Sequence, residues 1–211
     1  MERRTLNKLK ELFDNNAAWA EATKKEDPEF FARLATQQNP SYLWIGCSDS
    51  RVSPNRIVDL PPGELFVHRN IANLVIHDDL NCMSAIQFAV EALQIEHIII
   101  CGHYNCGGIR AALENVELGL IDNWLKHIKE VIRIHKEELG PLSFEEKCTR
   151  LCELNVIEQV RNICATDIIK SAWKNNKNLS IYGLIYSPQN GALNDLNVNL
   201  GSTKDFDNYY N

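Results

Sequence analysis

The sequence predicts an α/β fold with a mostly parallel central sheet flanked by helices. Short runs rich in branched and aromatic residues alternate with patterns of helical period, the order that builds parallel strands joined by crossover helices. No repeat, low-complexity tract or linker marks a second domain. The chain has 211 residues, 45% of them hydrophobic and 24% charged, which is enough to bury one sizeable core. It reads as a single domain over residues 1–211, with a helical arm over 1–39 and an α/β core over 40–200.

The arm comes first. Leu6, Leu9, Phe13 and Ala17 recur every three or four residues, an amphipathic helix from Thr5 to about Ala22. Asp27-Pro28 supplies the cap and first-turn proline of a second helix, faced by Phe30, Phe31 and Leu34 and stopped at Asn39-Pro40. Tyr42 to Cys47 is a first strand, and it ends in the polar loop Ser48-Asp49-Ser50-Arg51. The Pro61-Pro62-Gly63 turn leads into a second strand, Glu64 to His68, and Asp78 or Asp79 then caps a helix reaching about Leu93. Glu96 to Cys101 is the third and clearest strand. It runs into Gly102-His103-Tyr104-Asn105-Cys106-Gly107-Gly108, after which a helical pattern resumes. Residues 121–173 are helical, broken at Gly140-Pro141. Leu179 to Tyr186 is a fourth strand, and the Pro188-Gln189-Asn190-Gly191 turn returns Ala192 to Val198 as an edge strand. Such alternation predicts helices on both faces of the sheet.

Charge and composition exclude several classes of function. With 22 Lys and Arg against 28 Asp and Glu, the formal charge is −6, and without long basic runs neither nucleic acid nor an anionic membrane is the expected partner. Apolar stretches such as Ile98-Ile99-Ile100-Cys101 fall far short of the ~20 residues of a membrane helix. The charged first ten residues are followed by Glu11, Asp14 and Asn15 instead of a secretory apolar block, so a cytoplasmic protein with reduced thiols is expected.

In open parallel sheets ligands collect beyond the carboxyl ends of the strands. Cys47-Ser48-Asp49-Ser50-Arg51 and His103-Tyr104-Asn105-Cys106 both fall there, offering two thiols, an imidazole and a carboxylate. That donor set suits Zn(II), which takes sulfur, imidazole nitrogen and carboxylate oxygen in a tetrahedral shell. The plain alternative has Cys47 and Cys106 as buried core thiols and His103 capping a turn. It leaves Asp49 and Arg51 unexplained.

Three blocks carry a family resemblance: Trp44-Ile45-Gly46-Cys47-Ser48-Asp49-Ser50-Arg51, Leu65-Phe66-Val67-His68-Arg69-Asn70-Ile71-Ala72-Asn73, and Ile100-Cys101-Gly102-His103-Tyr104-Asn105-Cys106-Gly107-Gly108. In sequence, order and spacing they resemble the signature blocks of beta-class carbonic anhydrases. The likeness runs from about Asn16 to about Val198, takes in Trp124 and Cys152-Glu153-Leu154-Asn155-Val156, and looks closest to bacterial members.

The resemblance implies zinc-dependent, reversible hydration of CO2 to bicarbonate. It implies Cys47, His103 and Cys106 as zinc ligands, with Asp49 as a fourth, exchangeable one that Arg51 can draw off the metal. It implies a CO2 pocket at a subunit interface lined by Gln38, Phe66 and Phe88 beside Gly107; position 88 is Phe where many relatives carry Tyr. N-terminal helices that clasp a partner subunit, and a homodimer or homotetramer, follow from it as well. Trp44, Arg69 and Tyr186 match a second, non-catalytic bicarbonate pocket of some bacterial relatives, so inhibition by bicarbonate is expected.

Two other readings have less behind them. A permanently closed zinc module has no use for Arg51 beside its carboxylate, and a dinucleotide-binding oxidoreductase needs a glycine fingerprint after the first strand that is absent here. Some members of the resembled family hydrolyse carbonyl sulfide or carbon disulfide instead, and no motif reports on that. Cys82, Cys148, Cys152 and Cys164 lie in helical patterns and read as thiols without chemistry. His68, His77, His97, His127 and His135 lack a neighbouring ligand motif.

Overall fold

The computed structural model describes residues 2–36 and 38–210. The chain divides into two compact units, Met1–Asn39 and Pro40–Asn211. The first holds α1 (Glu2–Glu26) and α2 (Phe30–Thr36). Asp27 organises the corner between them: its carboxylate accepts from the Glu29 N–H and from two nitrogens of Arg33. Trp19 of α1 meets Phe31 of α2 edge to face, with centroids 5.5 Å apart. Leu9, Leu12 and Phe13 of α1 are exposed.

The second unit carries a five-stranded sheet of order β2-β1-β3-β4-β5, built from β1 (Tyr42–Cys47), β2 (Leu65–Asn70), β3 (His97–His103), β4 (Ser180–Tyr186) and β5 (Leu193–Leu200). The first four pair in parallel and β5 is antiparallel to β4. Between them lie α3 (Pro54–Ile57), α4 (Leu80–Gln87, continued by a π turn over Phe88–Ala92), α5 (Gly107–Glu114), α6 (Ile121–Ile134), α7 (Lys136–Leu139), α8 (Phe144–Ala165) and α9 (Asp167–Lys174), with α10 (Thr203–Tyr210) after β5. No helix among the described residues is long and apolar enough to cross a membrane.

Within this unit α4 to α9 pack on one face of the sheet. Leu43 and Ile45 of β1, Ile98 and Ile100 of β3, and Ile181 of β4 point to that face and form one core with Val156, Val160 and Ile163 of α8. Ser180, Tyr182, Leu184 and Tyr186 alternate to the other face and are only half-buried. Right-handed crossovers explain the asymmetry. The connections β2 to β3 and β3 to β4 move across the sheet in one direction and put α4 to α9 on one side. Only β1 to β2 runs the other way, and it holds nothing larger than the four-residue α3.

α8 is the backbone of that layer. Ser143 and Glu146 close a reciprocal capping box at its start. It lies close under β3 and β4 because Gly102 and Gly183 have no side chains: a Cβ at Gly102 would come within 2.6 Å of Val156, and one at Gly183 within 3.3 Å of Val156 and Val160.

Candidate metal centre

Register brings the two suspect loops together. β1 and β3 are neighbours with Gly46 opposite Cys101, so Cys47 ends its strand beside Gly102 and His103, and Cys106 follows one turn later as the N-cap of α5. The Cys47 and Cys106 sulfurs lie 4.0 Å apart, and with a His103 ring nitrogen they form a group whose ligand atoms are all within 4.8 Å of one another. All three side chains are buried.

The His103 ring is oriented for a ligand. Its Nδ1 donates to the Tyr104 carbonyl at 3.0 Å, which fixes the hydrogen there and leaves the lone pair on Nε2. Nε2 is buried and has no hydrogen-bond partner. An orphaned acceptor facing two thiols is costly in a core, and a dication resolves it. The sulfurs behave accordingly. The Cys106 thiol, with help from the Ala72 and Asp49 N–H groups, holds Cys47 down to about 4 against the effect of burial. Cys106, giving up its hydrogen to Cys47 and deeply buried, is pushed well up. Two thiolates and a neutral imidazole would just neutralise Zn(II). Donor types, spacing and the free Nε2 all fit zinc.

Asp49 stands at the edge of this group, its Oδ2 3.7 Å from His103 Nε2. Arg51 grips it in a fork, Nε to Oδ1 at 2.9 Å and Nη2 to Oδ2 at 2.7 Å, and holds the carboxyl well below the usual carboxylate range. The same Nη2 donates to the Asn105 carbonyl at 3.1 Å. Asn105 sits at φ 56°, a left-handed conformation that asparagine tolerates better than most residues. Asn105 was not singled out in the sequence; a loop asparagine just before a ligand cysteine is the only signal it gave.

Trp44, Arg69 and Tyr186 project from the same face of the sheet, the one opposite α4 to α9. Among the described residues, Arg69 pairs with no acidic side chain. Its guanidinium donates to the carbonyls of Cys47, Asp49 and Val52 at 2.7–2.8 Å and so clamps the loop that carries Asp49 and Arg51. The Trp44 indole is fully buried and its Nε1–H has no partner. It crosses Gly46, where a Cβ would lie 2.5 Å from Nε1.

Of the expected substrate-pocket residues in this unit, Gly107 adjoins Cys106, while Phe66 and Phe88 lie further down the sheet. Phe66 and Phe88 meet with ring centroids 5.8 Å apart. Phe66 pairs with Leu43, four residues before Cys47 and so roughly 13 Å down the strand from it. Gly107, the first residue of α5, has open space where a Cβ would stand. Gln38 belongs to the first unit and is exposed.

Cys82, Cys101, Cys148, Cys152 and Cys164 are free and buried, and burial pushes each thiol up, Cys82 and Cys152 to about 12. The fold also brings His68, Asp79 and Cys82 together, a grouping that sequence spacing does not reveal. There the Asn70 amide nitrogen points at His68 Nε2 from 3.4 Å, and Asp79 caps α4 through the Asn81 N–H. The fold itself employs both polar groups.

Residues 42–193 match the family model described as carbonic anhydrase. A carbonic anhydrase of Emericella nidulans is 45% identical over 202 residues, covering 95% of this chain and 89% of that one. Among solved structures, the Coccomyxa beta-carbonic anhydrase in complex with acetazolamide superposes with a TM-score of 0.90 at 39% identity, covering 93% of this chain and 90% of that one. One of two tetrameric beta-carbonic anhydrases from the ascomycete Sordaria macrospora gives a TM-score of 0.88 at 36% identity, covering 92% and 99%. With a mostly parallel sheet of the same build and a Cys-His-Cys donor group at its carboxyl edge, the chain belongs to the beta-class carbonic anhydrases, enzymes of CO2 hydration.

Proposed function

We propose that Cys47, His103 and Cys106 hold the catalytic zinc, and that Asp49 and Arg51 decide whether its fourth position is open. The observation that carries this reading is the buried, partnerless Nε2 of His103 facing two sulfurs while Arg51 holds Asp49 aside. Zinc held there supplies the Lewis acidity that makes hydroxide available near neutral pH for addition to the carbon of CO2. The protein's own part is selection. Asp49 and hydroxide carry the same charge and compete for one place, and four protein ligands would close the site as in structural zinc centres. The Arg51 fork, anchored on the Asn105 carbonyl, keeps Asp49 out of that place.

Bicarbonate acts on the same loop in this proposal. An anion held by Arg69, the Trp44 N–H and the Tyr186 hydroxyl competes for the guanidinium that now binds the Cys47, Asp49 and Val52 carbonyls. Release of those carbonyls frees the loop for Asp49 to take the metal and lowers activity. The trio matches some bacterial members, whereas the Emericella and Sordaria relatives are fungal.

Assembly completes the reading. The exposed apolar residues of α1 support a homodimer or homotetramer whose N-terminal helices clasp a neighbouring subunit. Phe66 and Phe88, with Gln38, would then line a CO2 pocket across the interface instead of one beside their own metal donors. A cytoplasmic location belongs to the same proposal, with cell fractionation as its check.

Metal analysis tests the core of it. The purified protein should carry about one zinc per chain, and Cys106→Ser should lose both the metal and CO2 hydration. A fully loaded Cys106→Ser protein with wild-type hydration would remove Cys106 from the site.

A further inference from the structure

Three amide side chains lie on the buried face of α8, where apolar residues are the norm. Asn155 and Gln159 are 1% and 2% exposed, and Asn162 follows on the same face. They form a ladder: Gln159 Nε2 donates to Asn155 Oδ1 at 3.1 Å, and Asn162 Nδ2 donates to Gln159 Oε1 at 3.1 Å. Every rung is spent on one stretch of main chain. Asn155 Nδ2 donates to the Ala72 carbonyl at 2.9 Å, Gln159 Oε1 accepts from the Val75 N–H at 2.8 Å, and Asn162 Nδ2 donates to the Val75 carbonyl at 3.0 Å.

That stretch is held in a conformation it would not choose. Ala72 and Asn73 are consecutive non-glycine residues at φ 64° and 48°, and left-handed backbone is disfavoured for alanine by its Cβ. Such a conformation persists only where the surroundings over-determine it. Here its result is specific. The Ala72 N–H is aimed at the Cys47 sulfur, 3.4 Å away. Buried polar networks are worth keeping in a core only when every member is satisfied, and this one ends on a metal donor.

We propose that Asn155 is a positioning residue for the metal centre, holding Ala72 left-handed so that its N–H is delivered to the Cys47 sulfur. The inference rests on the zinc assignment above. Groups one step removed from a ligand fix its direction and its donor strength, and losing one typically costs 10–100-fold in metal affinity. A thiolate that accepts an N–H gives less charge to the metal, so its spectrum reports the bond directly.

The test uses the full chain, loaded with zinc or cobalt(II). Asn155→Leu should weaken zinc binding by about 10–100-fold in competition with a chelator, and shift the sulfur-to-cobalt charge-transfer band. Ala72→Gly is then added to it. Glycine adopts positive φ without the steric cost, so the double variant should regain most of the lost affinity and return the band toward wild type. If Asn155 merely braced α8, glycine at position 72 would restore nothing, and that result overturns the proposal. So does an Asn155→Leu protein with wild-type affinity and spectrum. Should Asn155→Leu fail to fold, Asn155→Ser, which leaves a polar group and room for water, is judged by the same two readouts. A wild-type chain that takes up no zinc would sink the metal assignment itself, an outcome distinct from a zinc-loaded wild type that Asn155 does not influence.

Discussion

At the carboxyl edge of the sheet, polar groups are tied to one another one by one, whereas the apolar side chains of α1 face solvent. The Cys47–Val52 loop is clamped by Arg69 through three carbonyls, and the Ala72–Val75 stretch by amides of α8. Leu9, Leu12 and Phe13 have no such closure, at 54%, 63% and 68% exposed. Over-determined geometry is what a metal site needs from its scaffold. An uncovered apolar stripe is what a partner surface looks like before the partner arrives. One chain therefore finishes its donor set by itself and leaves its arm unfinished.

The largest effect should come from breaking the finished region. Arg51→Ala is expected to keep zinc, because no ligand is touched, yet lose activity by about 10–100-fold, the scale of a lost outer partner. A wild-type rate of CO2 hydration in that variant would refute the exchange mechanism. The pH dependence sharpens the point. Arg51 depresses the Asp49 pKa, so the pair stabilises the fold above the ordinary Asp value of ~3.9 and loses that contribution as pH falls through the lowered one. Any difference in thermal midpoint between wild type and Arg51→Ala should be complete at pH 7 and shrink in acid below about pH 4. Across the neutral and alkaline range Asp49 stays ionised, so in the proposed mechanism its position, not its protonation, would set access to the metal.

The unfinished region should fail differently. Phe13→Asp places a charge on the open face of α1 and is expected to shift the protein to smaller species in sedimentation while each chain still binds its zinc. Should the oligomer survive unchanged, the arm is not the clasp. If zinc were lost along with the oligomer, the separation of the two regions drawn above would not hold.

The same contrast explains what the sequence could and could not show. β1 was legible to the residue, because an apolar run meets a polar loop at Cys47. β3 was expected to stop at Cys101, yet pairing with β4 carries it through His103. α3 and α10 went unread: one is four residues long, and the other offers only Phe206 and Tyr210 to the core. The donor residues were visible since Cys-x-Asp and His-x-x-Cys are local patterns. Their supports were not. Ala72, Tyr104 and Asn105 contribute main-chain N–H or C=O groups, which every residue possesses and no spacing identifies. Arg69 is another such case, for its partners are the carbonyls of Cys47, Asp49 and Val52, which no side-chain pattern announces.

The smallest expected effect probes a link between Arg69 and Trp44, which share the face of the sheet opposite α4 to α9. The Trp44 N–H is buried without a partner, and a donor left so pays a desolvation penalty that nothing in the chain repays. Arg69 already has three acceptors, so an anion there must outcompete carbonyls, and a second donor poised beside it would favour the exchange. A hydrogen bond to a charged acceptor contributes about 1.5–3 kcal/mol, so its removal should move half-inhibition by bicarbonate roughly tenfold upward. Trp44→Phe keeps the aromatic packing and removes only the donor, and Tyr186→Phe does the same for the hydroxyl at the end of β4. Neither touches a zinc ligand, so metal content and uninhibited turnover should stay as they are. Wild-type bicarbonate sensitivity in both variants would mean that the clamp on the Cys47–Val52 loop is purely structural, and that the loop answers to Arg51 alone.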